Sequence, residues 1–495
     1  MASRTLLFVD DHHILYRSGT RRRIVPFERY DGNPVLAGCA EPWEVLVGWN
    51  SIHRDPDSGR YQLWYQVFTG GQMPVRTQDT LICYAESEDG LAFNRPQLEL
   101  HTFPGRDQTN IIGVGNGGHS YRYTNAVICH GHKDLAPRYK MASFDFPPPP
   151  QRTSPGLYTW TSADGIHWQR ISELPVSKIS YSEHDVDVPF AGDPTAGDAW
   201  PAPLRMSDGL DLIWDPERQV YAIYGKMWID GPAGNLAWKH GMGRIESADF
   251  TTWSKPQLLM TPDDDDPPWV EFHSTPVFYY AGCYFGLIQI LDRVTNGGVI
   301  DIELIVGRDG LSFDRPFRDT SVLPRAEGEE QFDSGSLLTN ATPVILKDEI
   351  RFYYGGYSAG CTGGDDWNMV SGVGMARIPR DRFAGIQPVE RSDQPTLTRP
   401  LENIGQVTLK PIQLSSYHAM RLNADASTGS IRVELLDEDG HRISGFSASE
   451  AVPVTGDDIG HEVVWDDRTL RDLPSGQYMI RIHLDNSEVF ALRLV

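Results

Sequence analysis

The sequence predicts an all-β protein: a five-bladed β-propeller followed by a C-terminal β-sandwich. Three observations carry that expectation. A decapeptide, "SEDGLAFNRP" at 87, returns in variant form along the chain, each copy follows short aromatic strands, and the composition favours turns and strands. The 495 residues include 47 Gly, 35 Pro, 13 Trp, 20 Tyr and 19 Phe, residues enriched in turns and aromatic strands rather than helices. The length also exceeds one ordinary core, since domains usually run to about 100–200 residues.

The copies are "SEDGLAFNRP" at 87, "SADGIHWQRI" at 162, "SADFTTWSKP" at 247 and "GRDGLSFDRP" at 307, with a degenerate fifth, "IPRDRFAGIQP", at 378. Each of the first four has Asp two residues after its start and an aromatic residue four further on. Upstream lie "RYQLWYQ", "RYKMASF", "VYAIYGKM", "CYFGLIQI" and "IRFYYGGY", and immediately before the copies lie "LICYAES", "GLYTWTS", "GMGRIES", "IELIVGR" and "GVGMARI". Alternating apolar positions over such lengths read as strands, and Asp-Gly supplies the positive φ of a tight hairpin. The repeat is therefore a hairpin corner, and Asp89 in it is structural. A unit of about four antiparallel strands repeated five times, with no helical pattern between copies, predicts a propeller over residues 1–395. "TLLFVDD" near the N-terminus is expected to close or cap the ring.

Beyond Pro400 the repeat stops. "RSDQPTLTRP" reads as a polar, Pro-bearing connector, and "QVTLKPIQL", "SIRVELLDEDG", "QYMIRIHLD" and "EVFALRLV" read as short alternating strands. Residues 400–495 are thus expected to form a β-sandwich accessory domain.

Charge and cysteine usage narrow the function classes. A formal charge of −23 argues against a nucleic-acid partner, which needs a surplus of Lys and Arg on one face. No apolar run approaches the roughly 20 residues that span a bilayer, and the N-terminus does not read as a signal peptide. Cys39, Cys83, Cys129, Cys283 and Cys361 are odd in number and widely spaced, as expected of reduced thiols in a cytoplasmic protein. The run Asp263–Asp266 lacks the interleaving of a calcium loop, and in "DDHHI" at 10–14 neighbouring side chains on a strand face opposite ways. Nothing in composition decides for or against homo-oligomers.

In a propeller the innermost strand of each blade faces the axis, so polar residues at its start converge on one funnel. The first blade offers Trp49, Asn50 and His53, and the second His119, Tyr123 and Asn125. The third offers Asp208 and Asp211, the fourth Glu271 and His273, and the fifth Asp333, Ser334 and Asn340. Trp49 and Trp200 are the first candidates to stack on a sugar ring. Trp168 and Trp253, inside the repeats, are expected in the blade cores.

The aromatic strand followed by "ES-DG-aromatic-RP", together with "LFVDD", "WDP", "FDSG" and "RLNADASTGSIRVELLD", resembles the five-bladed propeller superfamily of glycoside hydrolase families 32, 43 and 68. Within it the chain is most similar to bacterial proteins of the "family 32 N-terminal-like" kind. The resemblance spans nearly the whole chain. It implies a glycosidase acting on short oligosaccharides or glycosides in an exo manner, with Glu271 as general acid, Asp211 orienting or tuning it, and either Asp333 or the pair Asp10 and Asp11 standing in for the first-blade carboxylate. It further implies Trp49, Asn50, His119, Asn125, Trp200, His273 and Asn340 as substrate contacts. No cofactor is required, and a structural or active-site calcium stays open. The invertase "WMNDPNG" motif is absent; "VGWNSIHRDPDSG" holds its place without an Asp in register. Two other readings stand beside the hydrolase: a non-catalytic glycan-binding propeller, and a uronate-directed lyase using His or Tyr.

Overall fold

The computed structural model describes residues 3–70, 80–114, 125–130, 137–145, 156–172, 174–178, 206–229, 239–295, 297–328, 330–360, 369–389, 404–466 and 468–495. Strands dominate it, and a 3-10 turn at Leu470–Asp472 is the one helical element among the described residues. His119, Trp200 and Cys361 lie outside the described residues.

The chain is all-β, arranged as successive antiparallel meanders. The first comprises Leu46–Arg54, Tyr61–Phe68, Thr80–Ser87 and Ile111–Val114, and the second Asn125–Cys129, Tyr139–Asp145 and Gly156–Ser162 with two short outer strands. Met206–Asp215, Val220–Ile229, Lys239–Ser247 and Gln257–Met260 form the third. In the fourth, Val270–Ser274 and Val277–Tyr280 share the partner Cys283–Asp292, which pairs with Val299–Gly307. The fifth runs from Ser336–Leu338 through Glu349–Tyr357 to Ser371–Pro379. Its outermost strands, Glu28–Arg29 and Leu36–Ala37, come from the N-terminal segment. The inner strands of the first four meanders touch in sequence, the fifth joins the fourth where Ser336–Leu338 runs parallel to Val299–Gly307, and Leu46–Arg54 packs on Glu349–Tyr357 of the last meander, closing a ring.

The repeated turns fasten this ring. In each of the first three copies Ser Oγ bonds Asp Oδ1 at 2.9–3.0 Å (Ser87 to Asp89, Ser162 to Asp164, Ser247 to Asp249). That Asp oxygen accepts the backbone N–H two residues on, from Leu91, Ile166, Thr251 and, in the fourth copy, Leu311. This is an Asx turn, the local geometry for which Asp is selected. An aromatic residue of the preceding meander then holds the turn. Trp64 Nε1 donates to Gly165 O (2.6 Å), Tyr224 OH to Gly310 O (2.7 Å) and Tyr353 OH to Gly90 O (2.8 Å). At the third turn Phe250 replaces Gly and packs edge-on against Tyr221, with Lys140 over its ring. At the degenerate fifth copy Phe285 stacks on Phe383 at 4.2 Å, and Tyr280 bonds Asp381. Asp89 thus does structural work, as the sequence predicts.

The N-terminal strand departs from expectation. Arg4–Leu7 pairs with Glu488–Leu494, Ile14–Ser18 with Ile404–Leu409, and Thr20–Ile24 with Ala384–Pro388. These strands belong to the C-terminal sheet, so residues 4–24 and 384–388 fall outside the ring despite lying within 1–395. The physical reason is the uninterrupted apolar run Leu6–Val9. Leu6 and Phe8 enter the C-terminal core, while Leu7 and Val9 enter the core shared by the fourth and fifth meanders. Alternate side chains of one strand thereby bury two opposite faces. In the C-terminal sheet, Met420–Leu436 pairs through its first half with Glu488–Leu494 and through its second with Gln477–Asp485, across register shifts. The strand belongs to three ladders, the third with Val454–Glu462, around one apolar cluster that includes Trp465 and Phe446.

Candidate functional site

The ladders of three inner strands slip near their starts. Register shifts fall between Val47 and Asn50, between Met206 and Leu210, and between Phe272 and Ser274. A β-bulge turns a side chain out of the regular alternation, and the residues so turned are Trp49, Asp208 and His273. The third and fourth strands approach closely here: a Cβ on Gly209 would lie 3.0 Å from the His273 carbonyl oxygen. Glycine at 209 is what allows that contact.

Around these bulges sits a buried polar cluster. Lys226 Nζ lies 2.5 Å from Asp208 Oδ1, with both side chains under one-tenth exposed. Glu271 is buried between His240, whose Nδ1 meets one carboxylate oxygen, and Arg293, whose guanidinium donates to Oε2 at 3.1 Å. The His273 ring stacks on Trp49 with centroids 5.5 Å apart, and its Nδ1 lies 3.1 Å from Gln289 Oε1. Deeper in the ring, Asp211 Oδ1 accepts the Ala341 N–H at 3.1 Å.

These surroundings separate the charge states. Burial pushes the Asp211 carboxyl well above the carboxylate range, and the Ala341 N–H only partly offsets it. Burial acts on Glu271 in the same sense, but the His240 N–H and the Arg293 charge outweigh it and hold Glu271 below its ordinary value. Asp208 is likewise lowered, burial being overcome by Lys226. Burial, then Lys226, brings His240 down to about 4 and His273 to about 3. Asp211 is therefore biased toward its neutral form, Asp208 and Glu271 are biased toward their charged forms, and both imidazoles are neutral at neutral pH.

The sequence candidates divide accordingly. Asp208, Glu271, His273 and Trp49 gather at the bulges with Lys226 and His240, whereas Asp211 binds the Ala341 N–H. Asn50 and Asn340 bind each other: Asn340 Nδ2 donates to Asn50 Oδ1 (2.9 Å) and to Tyr353 O (2.7 Å). Asn340 Oδ1 accepts from Thr342, and Asn50 Nδ2 donates to Gly48 O. These amides clamp the first meander to the fifth, leaving little capacity for a ligand. Asp333 is bound to Arg29 Nε (2.9 Å) and Tyr354 OH (2.8 Å), and so anchors the N-terminal closing strand. Asn125 differs: both amide atoms are buried without a hydrogen-bond partner among the described residues, and so is Trp49 Nε1. Lys226, His240 and Arg293 escaped the sequence reading. The available signal was a lone Lys in the otherwise apolar strand "VYAIYGKMWI", whereas His240 stands with Lys239, Arg244 and Glu246 in "KHGMGRIES" and is not singled out there.

Two other stretches singled out in the sequence find their partners here. Carboxylates of the run Asp263–Asp266 are taken by arginines, Asp266 by Arg315 at 2.7 Å and Asp263 by Arg318 at 2.6 Å. Among the described residues no group of three or more His, Cys, Asp or Glu is placed to hold a metal ion. Trp168 and Trp253 pack in the cores beside their own turns.

The fold and this cluster define an all-β propeller-type protein with an ionisable site at the ring centre. No protein-family profile matches the chain, and no curated protein is detectably similar to it. Solved structures similar in shape include a glycoside hydrolase (11% identity, TM-score 0.47, covering 72% of this chain and 92% of that one). Another comes from work on the GH130 family of mannoside phosphorylases, which contains glycoside hydrolases that target β-1,2 mannosidic linkages in Candida mannan (14%, 0.46, 72% and 95%). A third is an N-acetylgalactosamine deacetylase from F. plautii in complex with blood group B trisaccharide (14%, 0.44, 74% and 97%). At this identity and these scores, none of the likenesses carries an argument about the activity of this chain.

Proposed function

We propose that the protein is a glycoside hydrolase acting on short oligosaccharides or glycosides, in an exo manner, with Asp211 as proton donor and Glu271 as the companion carboxylate. What supports this reading is that two inner strands carry carboxyls in opposite surroundings, Asp211 raised by burial and Glu271 lowered by His240 and Arg293. Pairs of titratable groups whose surroundings drive them apart are how acid and base roles are divided, and glycosidic cleavage needs one carboxyl in each state. The assignment exchanges the roles expected from the family resemblance, because Arg293 and His240 favour the charged form of Glu271 and so oppose its acting as an acid. Asp333, committed to Arg29, is given no catalytic role. Asn125 and the Trp49 indole supply unpartnered hydrogen-bonding groups for sugar hydroxyls, and Trp49 an aromatic face for the ring.

One observation favours the glycan-binding reading: both Glu271 oxygens are engaged by protein groups. A screen of 4-nitrophenyl glycosides separates the two. A hydrolase releases nitrophenol from at least one glycoside, and both Asp211→Asn and Glu271→Gln lower kcat by two orders of magnitude or more. Binding of glycosides without any turnover would replace the hydrolase by the binding propeller. Turnover that survives both substitutions would remove these two residues from the chemistry.

A further inference from the structure

The axial channel has a second mouth. The bulges and the ionisable cluster lie toward the starts of the inner strands, whereas the opposite ends of the same strands enclose a cavity of about 280 Å³. His53, His130, Trp214, Tyr279 and Thr342 line it, one from each meander, and Ile345, 37% exposed, stands in the lining as its most open apolar side chain.

The chemistry of this lining is specific. Among the described residues it contains no acidic side chain, no lysine and no arginine. Glu217 nearby is bound to the Tyr279 hydroxyl, and Lys140 lies over the Tyr221 ring. The two imidazoles are neutral at pH 7: burial brings His53 down to about 4, and burial, then Lys140, lowers His130. His53 Nε2 is committed to the Val127 carbonyl at 2.6 Å. His130 Nε2, by contrast, is a fully buried ring nitrogen with no partner among the described residues. Its ring packs edge-on against Trp214 and Tyr221. An unpaired buried nitrogen costs about 1–3 kcal/mol unless something bonds it, which points to a ligand or to water at this position.

We propose that this second mouth is a ligand site of its own, and that it takes an uncharged, hydroxyl-bearing ring the size of one monosaccharide. The volume lies just below the roughly 300–1,000 Å³ of pockets that hold drug-sized ligands, which suits a single sugar ring. Aromatic and prolyl surface (Trp214, Tyr279, Phe278, Pro216 and Pro343) offers an apolar wall. His130 Nε2 offers a bond to one hydroxyl. A charged sugar would be desolvated here with no counter-ion among the described lining residues, Lys140 being held over the Tyr221 ring, so the site discriminates against uronates. The proposal does not rest on hydrolysis at the other mouth.

The test titrates the full chain with D-glucose, D-galactose, D-mannose, D-xylose and L-arabinose, with D-glucuronate as the charged control, by saturation-transfer NMR and calorimetry. At least one neutral sugar is expected to bind, with affinity unchanged in Glu271→Gln and lowered at least about tenfold in His130→Ala and Trp214→Ala. D-glucuronate is expected to give no signal that these two substitutions remove. Trp214 packs on Tyr221 at 4.9 Å, so melting curves accompany each variant. Ile345→Arg, at an exposed position, places a charge at the mouth without disturbing the core and is expected to weaken binding equally. The proposal is overturned if no neutral sugar binds, if binding survives His130→Ala and Ile345→Arg, or if Glu271→Gln alone abolishes it.

Discussion

Replacing Lys226 by Met tests the central cluster most directly. The pair Lys226–Asp208 is almost wholly shielded, with 7% and 4% of the side chains exposed and 2.5 Å between the charged atoms. At an effective dielectric of about 20, two unit charges at that separation attract by roughly 6–7 kcal/mol, most of which offsets the cost of burying them. A surface pair would contribute about 0–1 kcal/mol. Breaking a buried pair leaves one charge uncompensated and costs about 3–5 kcal/mol, so Lys226→Met is expected to destabilise by that amount at pH 7. The pH dependence has a definite sign. In the native protein Lys226 overcomes burial and lowers the Asp208 pKa from 3.8; the stability it provides is present above that value and lost as pH falls through the folded pKa. Without Lys226, burial dominates and the folded pKa rises above the unfolded one, so the penalty is full at neutral pH and fades as Asp208 protonates. Thermal and urea unfolding at pH 7 and pH 4 would show the gap between wild type and variant narrowing on acidification. The double variant Lys226→Met/Asp208→Asn should recover a large share of the loss. A single-variant loss below about 1 kcal/mol at pH 7, or a double variant no better than the single one, would refute a buried ion pair at the ring centre.

Three further outcomes follow from the same structure. Gly165→Ala places a Cβ at φ +79° and 2.7 Å from Trp64 Cζ2, and should cost about 1–3 kcal/mol, read as a lowered melting temperature, whereas Gly105→Ala, at φ +77° with open space around it, bears only the backbone part of that strain. The Asp249 carboxyl is held well below its usual range by the N–H groups of Thr252 and Thr251, so Asp249→Asn should lower the melting temperature at pH 7, with the difference from wild type shrinking as pH falls below 3.8. Asn125→Leu removes a buried amide with no partner among the described residues; its melting temperature should hold or rise while glycoside binding at the ring centre, followed by calorimetry, is lost, and a marked destabilisation would show that the amide serves the fold.

The fold was legible because its signals are local. Ser-x-Asp-Gly spells an Asx turn with a left-handed glycine, and the aromatic residue on an upstream strand has a partner fixed in kind: Trp64, Tyr224 and Tyr353 each meet the turn carbonyl of the next meander. The closing strand was not legible, because Glu28–Arg29 and Leu36–Ala37 are two residues long and carry no alternation. Nor was the placement of Arg4–Leu7 legible. "LLFV" announces a strand buried on both faces, but its partner, Glu488–Leu494, is nearly five hundred residues away, and strand pairing at that separation leaves no pattern in the sequence.

The site was half legible for a different reason. Reading the starts of inner strands found Trp49, Asn125, Asp208, Asp211, Glu271 and His273, because position on a strand decides which residues reach the axis. It also admitted Asn50, Asn340 and Asp333, which reach the axis or its rim but bond to protein groups. The distinction lies in the bulges: slips at Val47–Asn50, Met206–Leu210 and Phe272–Ser274 re-aim Trp49, Asp208 and His273, and no sequence pattern marks a slip of one or two residues in a ladder. Charge state lies further still from the sequence. Glu271 is biased toward its charged form by His240 and Arg293, and Asp211 toward its neutral form by burial with no cation beside it among the described residues. His240 arrives from the meander before Glu271's and Arg293 from the residue just after its partner strand, so the division between acid and base is a property of the assembled ring and of no single strand within it.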